Sequence, residues 1–345
     1  MIRPEDMAHC RAAIRTGSLS FHAASRLLPG RVRDPALALY AFCRLADDEV
    51  DEGGDEIGAV LRLGERLDLA YRGRPENAPE DRAFAALVEA FEMPRALPEA
   101  LLEGLAWDAE GRRYADLSGL RDYSARVAAA VGAMMCVLMG VRDARVLARA
   151  CDLGVAMQLT NIARDVGEDA RNGRVYLPLD WLAQAGLAAD DVIGARSASP
   201  ALRQIVERLL AEAHGLYRRS EAGIAGLPLS ARPGIFAARL IYAAIGAEIS
   251  ASGHDSVTRR ARTSRGRKLA LIGLAASRAA LTVVAPVRSD LDAPPLGEVQ
   301  FLVDAAARAV PQGGWGQGRT GAVLSLLADL EARDRALVSR PHGTR

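Results

Sequence analysis

Residues 158–171 read QLTNIARDVGEDAR. Gln158, Asn161, Asp165 and Asp169 follow one another at steps of three, four and four residues. On a helix of about 3.6 residues per turn, those steps stack the four side chains on one face. Between them stand mainly Leu, Ile, Ala and Val, which makes a polar stripe on an otherwise apolar helix. Such a helix is expected to line a cavity within a bundle. The periodicity predicts it from about Ala144 to Val166, with Gly173 and Pro178 breaking the pattern beyond.

A matching stripe lies upstream in YAFCRLADDEVD, residues 40–51. Tyr40, Arg44, Asp47 and Asp51 recur at four, three and four, while Leu39, Phe42, Cys43, Ala46 and Val50 form the apolar side. Both stripes therefore carry two aspartates four residues apart. Like charges at that spacing cost a bare helix about 0.2–0.5 kcal/mol, and two such helices facing each other raise the cost. A multivalent cation would remove it. Oxygen ligands with no histidine nearby select Mg²⁺ or Mn²⁺ over zinc. Magnesium shares its shell with water and phosphate oxygens, so the pattern asks for a phosphorylated substrate.

Working outward, helical punctuation recurs. Asp34-Pro35 reads as an N-cap and first helical position. Further helices are expected near Ile57, over Pro79–Phe91, Pro98–Tyr114, Leu120–Val141, Ala201–Ala222 and Arg232–Ser252. Residues 183–200 read as a loop-rich connection, and 288–321, with GGWGQGRTG, as irregular surface before a last amphipathic helix to about Val338. No alternating strand pattern and no repeat emerges, so one domain over 1–345 is expected.

Composition narrows the function classes. The net charge of +1 provides no general field for nucleic acid, so attraction for anions must be local. Cys10, Cys43, Cys136 and Cys151 are widely spaced, without a CxxC pair, which fits reduced thiols and a cytoplasmic protein. The start, MIRPEDMAHC, has no apolar secretory core. Leu269 to Pro286 is apolar but carries Arg278, which suits a buried helix or one resting on a bilayer better than a membrane span. The basic run RRARTSRGRK, residues 259–268, could meet anionic head groups at the inner face of the membrane. No strand precedes a GxGxxG turn, so no NADPH site is expected.

With GSLSFHAASRLLP, YAFCRLADDEVDE, LTNIARDVGEDARNGRVYLP, IYAAIGAEI and TRRA in place, the chain resembles the squalene/phytoene synthase family over nearly its whole length. That resemblance implies an all-α, single-domain isoprenoid-synthase-type bundle with a central cavity between two aspartate motifs. It also implies head-to-head condensation of two prenyl diphosphates, here geranylgeranyl diphosphate, through prephytoene diphosphate to phytoene. Carried over by motif, Asp47, Asp51, Asp165 and Asp169, with Asn161, would hold the metal. Ser18, Ser20, Arg44, Gln158, Asn161, Arg164, Tyr242 and Arg259 would meet diphosphate, and Tyr40 and Tyr123 would face the reacting carbons. Neighbouring carotenoid enzymes are the protein partners it implies; nucleotide activation is left open. YSARVAAAVG, residues 123–132, departs from the family pattern: Ala125 replaces an aromatic, and Ala129 a glycine expected on the cavity wall.

Two rival readings stay in view. Asp47-Asp48-Glu49-Val50-Asp51 also satisfies the DDxxD of head-to-tail prenyl synthases, although DVGED does not repeat it. A di-metal carboxylate bundle would need ExxH pairs, and the sequence has none.

Overall fold

The computed structural model describes residues 2–17, 19–52, 56–285 and 289–308, the side chains of 15–17, 19–21, 47 and 49–52 excepted. Every regular element among them is helical. The chain runs α1 (Pro4–Gly17), α2 (Leu19–Ser25), α3 (Gly30–Glu52), α4 (Glu56–Tyr71), α5 (Pro79–Phe91) and α6 (Ala96–Ala109). It continues through α7 (Leu117–Ser124), a π-helical turn (Ala125–Ala129), α8 (Ala130–Leu138) and α9 (Ala144–Arg171). After the short α10 (Leu179–Gln184) and α11 (Ala189–Ile193) come α12 (Pro200–Ile224), α13 (Arg232–Ala251), α14 (Arg265–Val284) and α15 (Gln300–Ala307).

Caps explain several of these boundaries. The Asp143 carboxylate accepts from the Arg145 amide at 2.9 Å and starts α9. Ser199 accepts from Leu202 at 3.2 Å, with Pro200 at the first position of α12. Asp34-Pro35 does not begin α3 as expected. The helix starts at Gly30 and runs through Pro35, where the ring leaves only the Arg31 carbonyl without its helical donor. In the stretch expected as loop, 183–200, the one-turn α11 forms with Asp191 accepting from the Ala188 amide at 2.7 Å.

Helix α9 is the axis of the molecule, packed against α12 along its length and also against α8, α13, α15 and the π turn. Its buried face runs from Val146 to Ala170. The π turn approaches it closely because residue 154 is glycine: a Cβ there would lie 2.6 Å from the Ala129 Cα. Phe42 on α3 stacks on Phe84 on α5 with centroids 3.9 Å apart, which anchors the upstream polar helix. Helix α13 has the length and hydropathy of a membrane span, but 61% of that window is buried within the bundle. All four cysteines are free thiols. The expected helix ending near Val338 and the GGWGQGRTG run lie outside the described residues.

Candidate active site

A cavity of about 970 Å³ opens between α3, α6, the π turn, α8, α9, α12 and α13, near the upper end of sizes usual for small-molecule sites. The two polar stripes meet there: Tyr40 and Arg44 line it from α3, and Gln158, Asn161 and Arg164 from α9. Tyr123 and Tyr242 line it as well. Seven of the expected site residues, from four helices, thus share one chamber. Leu101, Leu105, Met135, Met157 and Ile245 are among its apolar walls.

At the polar end α9 extends past its expected stop to Arg171, which keeps Asp165 and Asp169 on one helical face. Asp165 accepts from Arg164 Nε at 2.7 Å and from Arg260 Nε at 2.8 Å. Burial works against its charge, but these two guanidiniums outweigh burial and hold the carboxyl below the ordinary aspartate range. Asp169 behaves oppositely. Burial, then the negative charges of Asp165 and Glu168, push it up to about 7. Arg44 ion-pairs with Asp48, its Nε donating at 2.9 Å. The Asn161 amide donates to Gln158 at 3.4 Å.

Arg260, one residue beyond the expected Arg259, is the loop cation that reaches Asp165. It lines the cavity and pairs with Glu168 at 3.0 Å as well as with Asp165, whereas Arg259 is off the cavity wall. The loop carrying it is fixed by Asp255, which accepts from the amides of Val257 and Thr258 at 3.1 and 3.0 Å. It docks on α9 through the Gly167 amide, which donates to the Ser256 carbonyl at 2.9 Å.

Asp108, on α6, had no place in the sequence reading. Its carboxylate lines the cavity and accepts from the hydroxyls of Tyr123 and Tyr176, each at 2.8 Å. The two rings stack at 5.2 Å, and Tyr114 lies 5.2 Å from Tyr123. Burial and the Asp108 charge push the Tyr123 phenol well above its ordinary pKa, so it remains a donor. The signal in the sequence was Tyr176 within GRVYLP, whose partner lies 68 residues away.

The expected wall at Ala129 is corrected. Ala125 and Ala129 are fully buried behind the lining, while Val127, Ala128, Val131 and Gly132 face the cavity. The wider i→i+5 closure of the π turn shifts which side chains look inward. Ser18 lies outside the described residues, as do the side chains of Ser20, Asp47 and Asp51.

The donor set at this end fits a hard divalent cation. It offers carboxylate and amide oxygens, and Asp169 carries a charge that its surroundings leave undercompensated. Among the described residues no three His, Cys, Asp or Glu converge into a complete metal cluster. Asp165 and Asp169 would therefore supply one side of such a site.

Residues 14–267 match the family model for squalene/phytoene synthase. The chain belongs to the squalene/phytoene synthase family. It is 61% identical to the phytoene synthase of Cereibacter sphaeroides, over 100% of this chain and 99% of that one. It is 58% identical to the phytoene synthase of Rhodobacter capsulatus, over 98% and 99% respectively. Among solved structures, a ligand-bound dehydrosqualene synthase superposes with a TM-score of 0.74 at 31% identity, covering 79% of this chain and 96% of that one. Family membership accounts for the all-helical bundle and for a prenyl diphosphate as substrate.

Proposed function

We infer that the chain is a phytoene synthase of carotenoid biosynthesis, joining two geranylgeranyl diphosphates head to head with Mg²⁺ or Mn²⁺. The observation that carries this reading is a large chamber, cationic and amide-lined at one end and apolar beyond. The two phytoene synthases matched over full length support the same reaction.

The first barrier is loss of diphosphate from an allylic carbon, leaving a carbocation and an anion. Arg44, Arg164 and Arg260 stand where that anion would collect, and preorganised charge at such a point is the strongest form of electrostatic help. A divalent ion held by Asp47, Asp51, Asp165 and Asp169, with Asn161, would add Lewis-acid stabilisation of the departing diphosphate. On diphosphate arrival Arg164 and Arg260 can turn from Asp165 to phosphate oxygens, so in the resting protein the arginines neutralise the carboxylates. The serines at 18 and 20 are assigned to the same anion.

The carbocation must then avoid water. Leu101, Leu105, Met157 and Ile245 give it a dry wall. Tyr40 and Tyr123 present aromatic faces, each worth about 1–2 kcal/mol to a desolvated cation. The Asp108 bond fixes the Tyr123 hydroxyl and, with it, the orientation of the ring. Cyclopropyl prephytoene diphosphate forms first, with release of one diphosphate and one proton; its ionisation releases the second diphosphate, and the rearrangement ends with loss of a second proton, no hydride being consumed.

The decisive experiment is mass analysis of hydrocarbon formed from C15 and C20 diphosphates, with and without divalent metal and NADPH. A C40 product with three conjugated double bonds, made without NADPH, is expected. A longer diphosphate or a cyclic C20 product would replace this reading with head-to-tail or cyclase chemistry.

A further inference from the structure

We propose that Asp108, acting through the Tyr123 hydroxyl, is the base that takes the last proton of the reaction, and that Tyr176 returns this proton to water. The inference rests on the proposed function, in which the final cation ends by losing a proton. Among the described residues Asp108 is the one carboxylate that lines the chamber, and no histidine lines it. The other charged groups on the wall, Arg44, Arg164 and Arg260 among them, are cations. A carbocation formed between such walls needs an acceptor for its proton in a site that excludes water. Asp108 meets the chamber at Tyr123, whose hydroxyl donates to Oδ2 at 2.8 Å. Its Oδ1 accepts from the Tyr176 hydroxyl, also at 2.8 Å. With both oxygens accepting, the carboxyl is bonded as its ionised form is.

The step balances without a further reactant. A C–H bond beside the cationic carbon breaks, and its electron pair closes the new carbon–carbon double bond. The proton goes to the Tyr123 oxygen as the proton already there crosses to Oδ2 of Asp108. Tyr123 is thus neutral before and after, as burial and the Asp108 charge require of its phenol. The carboxylate is neutralised together with the carbocation. Tyr176 provides the way out: it lies off the chamber wall and is partly exposed, whereas Tyr123 is 3% exposed and lines the chamber. The segment after Tyr176 is pinned, the amides of Leu179 and Asp180 donating to the carbonyls of Tyr114 and Ala115 at 2.9 and 3.0 Å. The Tyr123 and Tyr176 rings stack at 5.2 Å. Asp108 is therefore held at both oxygens, with one hydroxyl toward the reacting carbons and the other on the way to solvent.

The test supplies prephytoene diphosphate directly to the full chain with Mg²⁺, which takes the first condensation out of the readout, and weighs phytoene against C40 alcohols by mass analysis. Wild-type protein should yield phytoene. In Asp108→Asn and in Tyr123→Phe the cation lasts until water recaptures it, so the ratio of phytoene to alcohol should fall about a hundredfold, the scale of one general base. Asp108→Glu, which keeps a carboxylate, should recover most of that ratio. Tyr176→Phe should leave the ratio unchanged and slow the steady-state rate. Should the asparagine variant not fold, Tyr123→Phe reads the same ratio. Phytoene as the sole C40 product of Asp108→Asn, at whatever rate, overturns the proposal and leaves the proton to the released diphosphate. So does the loss of every C40 product in both variants while circular dichroism and melting match wild type. A wild-type chain that makes no phytoene from this substrate removes the proposed function itself, and the base with it.

Discussion

Gly167 on α9 lies so close to Val257 that a Cβ at 167 would fall 2.3 Å from the Val257 carbonyl oxygen and 2.7 Å from its Cα. Both contacts are with backbone, which cannot swing aside as a side-chain tip can. The glycine therefore lets the 255–263 loop lie on the helix between the two aspartates, and so delivers Arg260 to Asp165. Gly167→Ala is expected to push the loop off α9 and to lower turnover about as much as Arg260→Gln. Combining the two should cost little more than either alone, because both remove one contact. Additive losses in steady-state kinetics would refute the coupling.

Asp165→Asn keeps the shape of the side chain and removes half of what faces Arg164 and Arg260. Turnover should fall about 10²–10³-fold, the scale of losing one preorganised electrostatic partner. Asp47→Asn should do the same. Unchanged rates in both variants would remove the diphosphate-ionising role from the two stripes.

Asp108→Asn tests the residue that the sequence reading passed over. The two hydroxyls bond different oxygens of Asp108, and the amide replaces one of these by an NH₂ group, so one tyrosine loses its acceptor and the other keeps only a neutral one. A hydrogen bond to a charged group is worth about 1.5–3 kcal/mol, so product formation should drop roughly tenfold to a hundredfold. Circular dichroism should show the helices intact. Wild-type rates would reduce Asp108 to a packing role.

The pH dependence of stability follows from Asp169. Its folded carboxyl, at about 7, lies above the ordinary aspartate value, so ionisation opposes folding. This contribution is absent below the unfolded value, grows as pH rises towards 7, and stays constant above. Metal-free protein should thus melt higher at pH 6 than at pH 8 through this group, and Asp169→Asn should flatten that difference. A divalent ion at pH 8 should raise the wild-type melting temperature and leave the asparagine variant unmoved. An identical pH profile for both proteins would contradict the assignment.

Stability also depends on a buried ionic cluster remote from the diphosphate end. Arg149 and Asp152 are fully buried and paired at 2.8 Å; Asp152 also meets Arg219 at 3.1 Å. Arg149 donates to the carbonyls of Asp290 and Ala293 and so straps the 289–296 segment to α9. Arg149→Leu should cost about 3–5 kcal/mol, measured by chemical denaturation, because it breaks a buried pair and strands carbonyls. A loss under 1 kcal/mol would mean that the strap contributes little.

Residues acting through one helix were legible in the sequence. Gln158, Asn161, Asp165 and Asp169 announce themselves because helical geometry alone puts them together. Tyr40 and Arg44 follow the same rule. Asp108 could not be found that way: its partners are 15 and 68 residues distant, and it repeats no polar stripe along α6. Arg259 and Arg260 form a doublet in a loop, where no repeat tells which side chain turns inward. The π turn has no sequence signature of its own, so nothing in the pattern tells that Ala129 lies behind the cavity wall. For α14, composition left burial and surface contact equally open; packing shows that the helix buries Ala275, Ala279 and Thr282 and leaves much of its surface exposed.

Arg149 and Asp165 stand on the same unbroken helix, one toward the strapped interior and the other at the diphosphate end. Sixteen residues of α helix separate them by about 24 Å. A single inserted or deleted residue anywhere between would swing one end by about 100° against the other and turn Asp165 away from Arg260. The enzyme's reach for longer or shorter hydrocarbon tails can therefore evolve by resizing side chains along the wall, but not by adjusting the length of its central helix one residue at a time.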